Sequence, residues 1–570
     1  MNPGETNHPH AVASRRGWRE LALVVLGFGA LTVFFTYPLA FRLGSVGRID
    51  NGDGQFSIWN VAWVARSLVV DPLHVFDANI FYPNRGTLAY SESNLGAGLL
   101  AVPVYWTTGN PYAAHNFVLL VSFVLSATGM YYLARYLVAD RWAAVIAATC
   151  FAYCPYVFAH TPHIQLLMTA GLPWSMLAFH RLADGPTAPR GAVLGLAIAA
   201  QALFCGYYAV FVMLMVAFAV LVVATTRRRW GDIRYWAAAS VAAGVAIAIA
   251  LPMFVPYLDL QRATGFNRSL AAARQFSADW RAYLASGSYA HAWLLKFLRP
   301  RVDLLFPGAV AVAFGIPGVA LGWSAGGRFR EVSVLYGGLT LLAFWASLGP
   351  DAGLYRALYA TVPAFNLMRA PNRFGLVVSF ALSLLASVAI AAVLARLAGS
   401  RQESRVSSRL PRGLKPAVVA ASLAAASVSE LTVPLTFRVV PPVEEAYRIL
   451  ATLPHGAVLE MPVYSRRFAF ARTQYMLSST VHWKPLVNAY SDYIPREFIE
   501  KTDALGSFPS RDGFKILERD RVRYVVVHMD RFTPDLRADV HTRLDESDRY
   551  LLQRYADERT LLYEIVGFPP

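Results

Sequence analysis

Long apolar stretches run through most of this chain and constrain its fold more than any other feature. A helix needs about 20 apolar residues to cross a bilayer, and eleven segments reach or approach that length. These segments are 20–43, 112–137, 142–159, 162–180, 191–206, 208–226, 235–257, 305–323, 331–348, 372–396 and 415–435. Apolar residues make up 56% of the 570 residues and charged residues 15%, against about 25% charged in soluble proteins. The sequence therefore predicts an α-helical polytopic membrane protein, and it excludes a cytosolic enzyme, a secreted disulfide scaffold and a disordered chain.

The net charge of +16 belongs to the membrane part of the chain. From Arg438 to the C-terminus there are 19 basic and 19 acidic residues, so the preceding part carries the whole excess. A basic soluble domain would indicate nucleic acid binding. A basic excess on loops between apolar segments indicates membrane topology and contact with anionic lipid instead. We expect membrane lipids, and no nucleic acid, among the partners.

Arginines between the spans give the expected orientation. The first span is preceded by Arg15, Arg16 and Arg19 and is too long for a cleaved signal peptide, so the N-terminus is expected in the cytoplasm. The predicted inner loops are short and basic, as the positive-inside rule requires. They carry Arg135 and Arg141, Arg181 and Arg190, Arg227 to Arg229, Arg328 and Arg330, and finally Arg396, Arg401, Arg405, Arg409, Arg412 and Lys415. Eleven spans then place the C-terminal part outside the cytoplasmic membrane of a bacterium, a source suggested by the presence of only five lysines.

Two predicted outer loops, 44–111 and 258–304, are long, and loops of that length are usually functional. In the first, Phe56–Val70 with Trp59 and Trp63 is expected to lie as an amphipathic helix on the membrane surface. Segment 94–107 is short and contains Pro103, so we place it as an interfacial helix rather than a twelfth span. Residues 1–435 then form the membrane domain.

Residues 436–570 read as a small α/β domain outside the membrane. Strands are expected at Ala457–Val463, Arg523–Val527 and Leu561–Val566, where β-branched residues lie between turn-forming and charged residues. Helices are expected at Glu444–Leu453 and Asp535–Tyr555.

Two acids follow the first span in the sequence Ile49-Asp50-Asn51-Gly52-Asp53-Gly54. One interpretation is a glycine-rich turn in which an Asp caps a helix that begins near Gln55. The other is a carboxylate held above the bilayer as a general base or metal ligand. A base needs a short rigid loop near the reacting group, and this loop lies between a span and an interfacial helix.

His160-Thr161-Pro162-His163 joins two predicted spans at the same face. Thr161 is a suitable N-cap and Pro162 fits a first helical turn, so a helix N-terminus flanked by two imidazoles is expected there. Such a site suits an anion or, together with Asp53, a metal ion. The alternative is that both histidines are interfacial polar residues without a ligand.

Arg369-Ala370-Pro371-Asn372-Arg373 opens another predicted span at the outer face. Two guanidinium groups at a helix N-terminus would make a strong phosphate site, whereas the alternative is snorkelling to lipid head groups. Tyr207 and Tyr208, at the turn between two short spans, are interpreted as part of an aromatic belt.

These features together resemble the GT-C superfamily of membrane glycosyltransferases, and especially its poorly characterised bacterial families. The resemblance depends on a membrane-facing acid in the first outer loop, about eleven spans and an outer C-terminal domain. The matching stretches are Gly52 to Gln55 with Trp59 and Trp63, Asn79 to Pro83, Phe158 to His160, His163 to Leu167, Arg369 to Phe374 and His482 to Asn488.

The resemblance implies an inverting transfer of a hexosyl or pentosyl group from a polyprenyl-phosphate donor on the outer face. The acceptor class, a glycan, lipid or protein, stays open. Asp53 matches the family's catalytic acid. Better-known members often have two acids two residues apart, whereas here Asp50 precedes Asp53 by three, and a divalent cation is a candidate cofactor.

The residues suit this chemistry on their own terms. A carboxylate such as Asp53 can take the proton of an acceptor hydroxyl. Cations such as Arg369 and Arg373, with His160 and His163, can stabilise a leaving lipid phosphate. The alternative is a lipid or glycan transporter or flippase, or a non-catalytic membrane assembly protein. The spans favour the enzyme because they are nearly free of ionisable groups, apart from Glu430 near an outer end.

Overall fold

The membrane part is a bundle of apolar helices, seen in a computed structural model that describes residues 9–298, 303–399 and 414–570. Six helices in these ranges are long and apolar enough to cross a bilayer, and four shorter apolar helices accompany them. The six are Gly17–Phe35, Pro111–Val138, Arg141–Ala159, Gly206–Thr226, Ile233–Thr264 and Pro371–Gly399; the four are Leu95–Thr108, Ala188–Phe204, Ala309–Ala325 and Pro416–Leu431. The chain is thus a multi-pass membrane protein, as predicted, while the count of eleven spans and the role of segment 94–107 stay predictions.

One predicted span, 162–180, is broken into two helices. A single turn at Ile164–Leu167 is followed by the helix Gly171–Asp184. The buried side chain of Gln201 bridges the break: its Nε2 donates to the carbonyl oxygen of Met168 at 3.0 Å, and its Oε1 accepts from the amide of Gly171 at 2.9 Å. Irregular backbone inside a membrane bundle needs such partners because no water is present to supply them.

Several predicted inner loops meet at one end of the bundle. Arg227 binds Glu331 through two hydrogen bonds of 2.7 Å and Asp184 at 2.9 Å. Arg328 lies 3.4 Å from the same Asp184, and Tyr136 donates to it at 2.6 Å. The clustering agrees with one common side for these loops. The basic group Arg401, Arg405, Arg409 and Arg412 lies outside the described residues.

Glu430, the acid near an outer span end, has a structural contact that the sequence did not indicate. Its two carboxylate oxygens accept from the amides of Ala309 and Val310 at 2.9 and 3.1 Å. The carboxylate thereby satisfies the free N–H groups at the start of the helix Ala309–Ala325.

The C-terminal part is an α/β domain, as predicted. A short antiparallel pair, β1 (Val46–Gly47) and β2 (Arg438–Val439), precedes a four-stranded sheet of β3 (Ala457–Met461), β4 (Val522–His528), β5 (Leu551–Ala556) and β6 (Thr560–Ile565). The sheet order is β3-β4-β6-β5, in which only β3 and β4 are parallel. Its helices are Glu445–Thr452, Thr473–Ser478, Arg496–Gly506, Arg511–Arg519 and Pro534–Glu546. The helix expected over Asp535–Tyr555 was predicted too long, because the chain turns at Ser547 and continues as the edge strand β5.

The helix Gly52–Val70, here called the site helix, does not lie exposed on the membrane surface as expected for Phe56–Val70. Trp59 and Trp63 are buried, and Trp63 packs against Trp483 of the C-terminal domain. The first outer loop and the C-terminal domain share one hydrophobic core. The tryptophans are therefore core residues between two parts of the protein, and the expectation of a lipid contact for them was wrong.

Polar contacts lock the same two parts together through Asn79. Its side chain accepts from the indole of Trp59 at 3.1 Å and donates to Ser479 and to the carbonyl oxygen of Lys484. Its carbonyl oxygen also accepts from the amide of Leu486 at 3.0 Å. Asn79 is 5% exposed, so its loss would leave several buried groups without partners, at about 1–3 kcal/mol each.

The two ends of the molecule allow a direct test of orientation. Cysteines at Thr187, in the predicted inner loop after Asp184, and at Ser507, in the C-terminal domain, should label from opposite sides of the membrane, because both residues are exposed and lie at opposite predicted faces. The measurement is reaction with a membrane-impermeant maleimide in intact and in opened cells. The three native cysteines are buried and serve as the unlabelled background. Labelling of both positions in intact cells, or of neither, would refute the predicted topology. Ser407, in the last predicted inner loop, would be another cytoplasmic position, but it lies outside the described residues.

Candidate active site

Asp53 lies in the first turn of the site helix, in a loop that its own side chains hold rigid. The helix begins one residue after Asn51, whose side chain accepts from the amide of Gly54 at 2.9 Å. The interpretation in which an Asp caps this helix is therefore wrong, and Asn51 is the cap. A Cβ at Gly54 would lie 1.6 Å from the carbonyl oxygen of Arg48, so only glycine fits this turn.

Gln55 ties this loop to the C-terminal domain. Its Nε2 donates to the carbonyl oxygen of Ile49 at 3.1 Å, and its Oε1 accepts from the hydroxyl of Thr473 at 2.7 Å. The side chain of Phe470 covers Gly52 from the same domain. Asp53 is thus presented at the boundary between the bundle and the C-terminal domain.

His163 is the direct partner of Asp53. Its Nε2 lies 3.4 Å from Oδ2 of Asp53, and both side chains are about one-third exposed, at 32% and 37%. Burial acts to raise the pKa of Asp53. The hydrogen bond with His163 and the positive charges of His163, Arg369 and Arg373 outweigh it, so the pKa lies below its ordinary value. The carboxylate is therefore ionised and available as a proton acceptor.

Two contacts fix the turn that carries His163. Arg48 donates to the hydroxyl of Thr161 at 2.6 Å and forms an ion pair with Asp50 at 3.2 Å. The hydroxyl of Ser57, on the site helix, accepts from the amide of Ile164 at 3.1 Å. Asp50 and Asp53 thus have different partners. Asp50 pairs with Arg48, and Arg48 in turn holds the turn that carries His163.

The histidine turn differs from the expected helix N-terminus. The helix begins only at Ile164 and is one turn long, and Thr161 donates to the carbonyl oxygen of Phe158 instead of capping it. A single turn provides little dipole for an anion. His160 points its Nδ1 to the carbonyl oxygen of Tyr156 at 2.7 Å, and burial lowers its pKa to about 3. His160 is therefore a neutral residue, and only His163 faces Asp53.

Arg369 and Arg373 do not both lie in the first turn of a helix, as a phosphate site at a helix N-terminus would require. Arg369 lies before the short 3₁₀ turn Pro371–Phe374, and the hydroxyl of Tyr207 organises the segment. It accepts from the amides of Arg369 and Ala370 at 2.6 and 2.7 Å, while the guanidinium of Arg373 lies 4.2 Å from the centre of its ring. The charges of both arginines nevertheless lower the pKa of Asp53. A site shared by Asp53, His163 and Arg373 stays a prediction.

The aromatic-belt interpretation of Tyr207 and Tyr208 was wrong. Tyr207 holds the arginine segment, and Tyr208 is buried with its hydroxyl 3.1 Å from that of Tyr156 and 3.0 Å from the carbonyl oxygen of Leu166. Both tyrosines are internal hydrogen-bonding residues. A tyrosine pair after Gly206 carries no sequence signal that separates these roles.

The C-terminal domain and the second long outer loop add residues that the sequence did not point to. Asp492 lies 3.1 Å from the guanidinium of Arg369 and 3.5 Å from that of Arg268. Tyr490 stacks on Phe470 at 4.4 Å between ring centres. Burial first, and then the charges of Asp492 and Asp53, raise the pKa of Tyr490. For Tyr490 and Asp492, the only available signal was their position directly after the stretch His482 to Asn488.

Glu92 supports the site from the first outer loop. Its Oε1 accepts from the amide of Gly206 at 2.9 Å, next to Tyr207. Burial raises the pKa of Glu92, although the charge of Arg373 acts in the opposite direction. Over the described parts of the chain, no group of three or more His, Cys, Asp or Glu side chains is arranged to hold a metal ion, and a divalent cation stays a prediction.

Comparison with known proteins gives a fold and no sequence relative. No family model and no curated protein matches the sequence. Two cryo-EM classes of a mutant arabinofuranosyltransferase AftD from mycobacteria align with this chain. Class 1 covers 96% of this chain and 41% of the enzyme, with a TM-score of 0.58 and 16% sequence identity. Class 2 covers 96% of this chain and 42% of the enzyme, with a TM-score of 0.53 and 15% sequence identity. This chain therefore spans about two-fifths of that enzyme. ArnT from Cupriavidus metallidurans aligns over 98% of this chain and 100% of its own, with a TM-score of 0.49 and 15% identity. The alignment with the mycobacterial enzyme shows that the chain has a GT-C fold.

Proposed function

We propose that this protein is an inverting glycosyltransferase that uses a polyprenyl-phosphate-linked sugar on the outer face of a bacterial cytoplasmic membrane. One observation carries the proposal. An ionised carboxylate, Asp53, lies within electrostatic range of two guanidinium groups, those of Arg369 and Arg373, in a partly exposed site beside an apolar bundle. The GT-C fold supports it, because the aligned mycobacterial enzyme is named as an arabinofuranosyltransferase.

In the proposed reaction, the carboxylate base and the arginines act on opposite faces of the sugar. Asp53 takes the proton from the acceptor hydroxyl, and the acceptor oxygen forms a bond to the anomeric carbon. The bond from that carbon to the phosphate oxygen breaks on the other face, and the phosphate leaves with the electron pair. Arg369 and Arg373 stabilise the charge that develops on the leaving phosphate.

His163 and Asp50 have supporting roles in this scheme. His163 orients Asp53 and keeps it ionised. Asp50 fixes Arg48, which holds Thr161 two residues before His163. His160 lies behind His163 as a neutral neighbour, with 6.1 Å between the two ring centres. In this scheme His160 does not contact the lipid phosphate directly.

The first prediction from this proposal tests the base. Asp53→Asn should lower sugar transfer by about 10²–10⁴-fold, because the amide cannot accept the acceptor's proton, while binding of undecaprenyl phosphate stays close to that of the wild type. The measurement is transfer of radiolabelled sugar from a polyprenyl-phosphate donor in reconstituted membranes. Asp71→Asn, at the exposed other end of the same helix, is the matched control and should keep full activity. Unchanged transfer by Asp53→Asn would remove Asp53 as the base.

The second prediction concerns the pH dependence. Transfer by the wild type should persist to acidic pH, because the lowered pKa of Asp53 keeps the base deprotonated there. His163→Ala removes a hydrogen bond and a positive charge that both lower this pKa, so the pKa of Asp53 rises and the acidic limb of kcat/KM moves to higher pH. His163→Gln keeps a hydrogen-bond donor without the charge and should give an intermediate shift. An acidic limb at the same pH in all three proteins would show that Asp53 does not control it.

The third prediction tests the phosphate site. Arg373→Ala should weaken binding of undecaprenyl phosphate, with or without sugar, because a charged contact is worth roughly 1.5–3 kcal/mol. Arg373→Lys should restore only part of the affinity, since lysine keeps the charge and loses the planar fork. Isothermal titration of the sugar-free lipid compares the three proteins, with Arg356→Ala, on the helix Leu354–Thr361, as the matched control. Equal affinity throughout would mean that Arg373 has no part in phosphate binding.

A further inference from the structure

Asp492 is an acid of the site that lies beside the proposed phosphate-binding arginines and has no role in the proposed reaction. It comes from the C-terminal domain and pairs with Arg369, at 3.1 Å, and with Arg268, at 3.5 Å. A carboxylate in this position occupies one of the guanidinium groups assigned to the phosphate. The following inference rests on the proposed function.

The three backbones that carry this cluster are each fixed by other contacts. Next to Asp492, the amide of Tyr493 donates to Tyr90 at 2.9 Å. The amide of Arg268 donates to Asn366 at 2.7 Å, and its carbonyl oxygen accepts from Tyr359 at 2.9 Å. The amide of Arg369 donates to Tyr207. An exchange of partners can therefore take place by movement of side chains alone.

The exposure of the cluster allows such an exchange. The side chains of Asp492 and Arg369 are 35% and 34% exposed, and that of Arg268 is 16% exposed. Pairs of this exposure are weak, because water and salt screen them. A phosphate held at the same depth can compete with Asp492 for the guanidinium groups, since charge-assisted contacts to phosphate are strong and often bidentate.

The two lipids of the reaction differ in charge. The donor is a phosphodiester with one negative charge, whereas the product is a monoester with about 1.5 to 2 negative charges at neutral pH. The same cations therefore bind the product more strongly than the donor. A site built only of arginines would retain its product and slow the next turnover.

We propose that Asp492 competes with the lipid phosphate for Arg369 and Arg268 and thereby promotes release of polyprenyl phosphate after sugar transfer. Arg268 is in this arrangement a third cation of the phosphate site. As the product leaves, Asp492 replaces the phosphate beside Arg369 and Arg268, so neither guanidinium group is left without an anionic partner. Asp492 is a positioning residue and does not touch the reacting atoms.

The test measures the affinity for undecaprenyl phosphate. Asp492→Asn should bind this lipid roughly three- to tenfold more tightly than the wild type, because the neutral amide competes less for the arginines. A purely structural role predicts the opposite, since loss of the ion pairs would disorder Arg369 and weaken binding. Equal or weaker binding by Asp492→Asn overturns the proposal. Asp503→Asn, an exposed acid on the next helix, is the matched control and should leave the affinity unchanged.

A kinetic experiment separates this proposal from the proposed function. In the transfer assay, added undecaprenyl phosphate should inhibit Asp492→Asn at a concentration several-fold lower than the wild type, and Arg268→Ala should need a higher one. If Asp492→Asn does not fold, Asp492→Ser is used for both measurements. If Asp492→Asn binds the lipid more tightly but the wild type transfers no sugar, the proposed enzyme is rejected and the competition is supported. Normal transfer with unaltered product inhibition would reject the competition and leave the enzyme intact.

Discussion

The docking of the C-terminal domain on the first outer loop is the interaction on which the candidate site depends. Asn79 provides hydrogen bonds to both parts, and Trp63 and Trp483 pack across the same boundary. This docking seats the site helix that carries Asp53 and brings Asp492 to Arg369. Without it, the bundle would keep its arginines but lose both the cover over Gly52 and the competing carboxylate.

The positive and negative charges of the site come from different parts of the chain. Pairing them lowers the cost of burying ions. Uncompensated guanidinium groups in a half-buried site are expensive. The bundle and its loops supply Arg268, Arg369 and Arg373, and the C-terminal domain supplies Asp492. Asp53 gains from the remaining positive charge, which keeps its pKa low despite burial. In the proposed reaction, this positive charge keeps the base deprotonated and also stabilises the leaving phosphate.

The sequence predicted those features that depend on composition and on short-range order. The apolar segments gave the helical bundle, and β-branched runs gave strands at β3, β4 and β6, because each is a local pattern. The partner of Asp53 and the tie between Arg369 and Tyr207 were not predictable in the same way. They join residues more than 100 positions apart, and a polar residue beside an apolar segment has the same sequence appearance whether it contacts lipid, a carbonyl group or a ligand.

Those differences change what kind of anion site the protein has. The sequence suggested helix N-termini at Thr161 and Arg369, where an anion would be held by free amides and a helix dipole. In the structure the amides of Arg369 and Ala370 already have a partner in Tyr207, and the helix after His163 is a single turn. In the proposed reaction, side-chain guanidinium groups bind the phosphate. Unlike amides fixed in a backbone, they can change partners, and the proposed exchange between Asp492 and the lipid phosphate depends on this property.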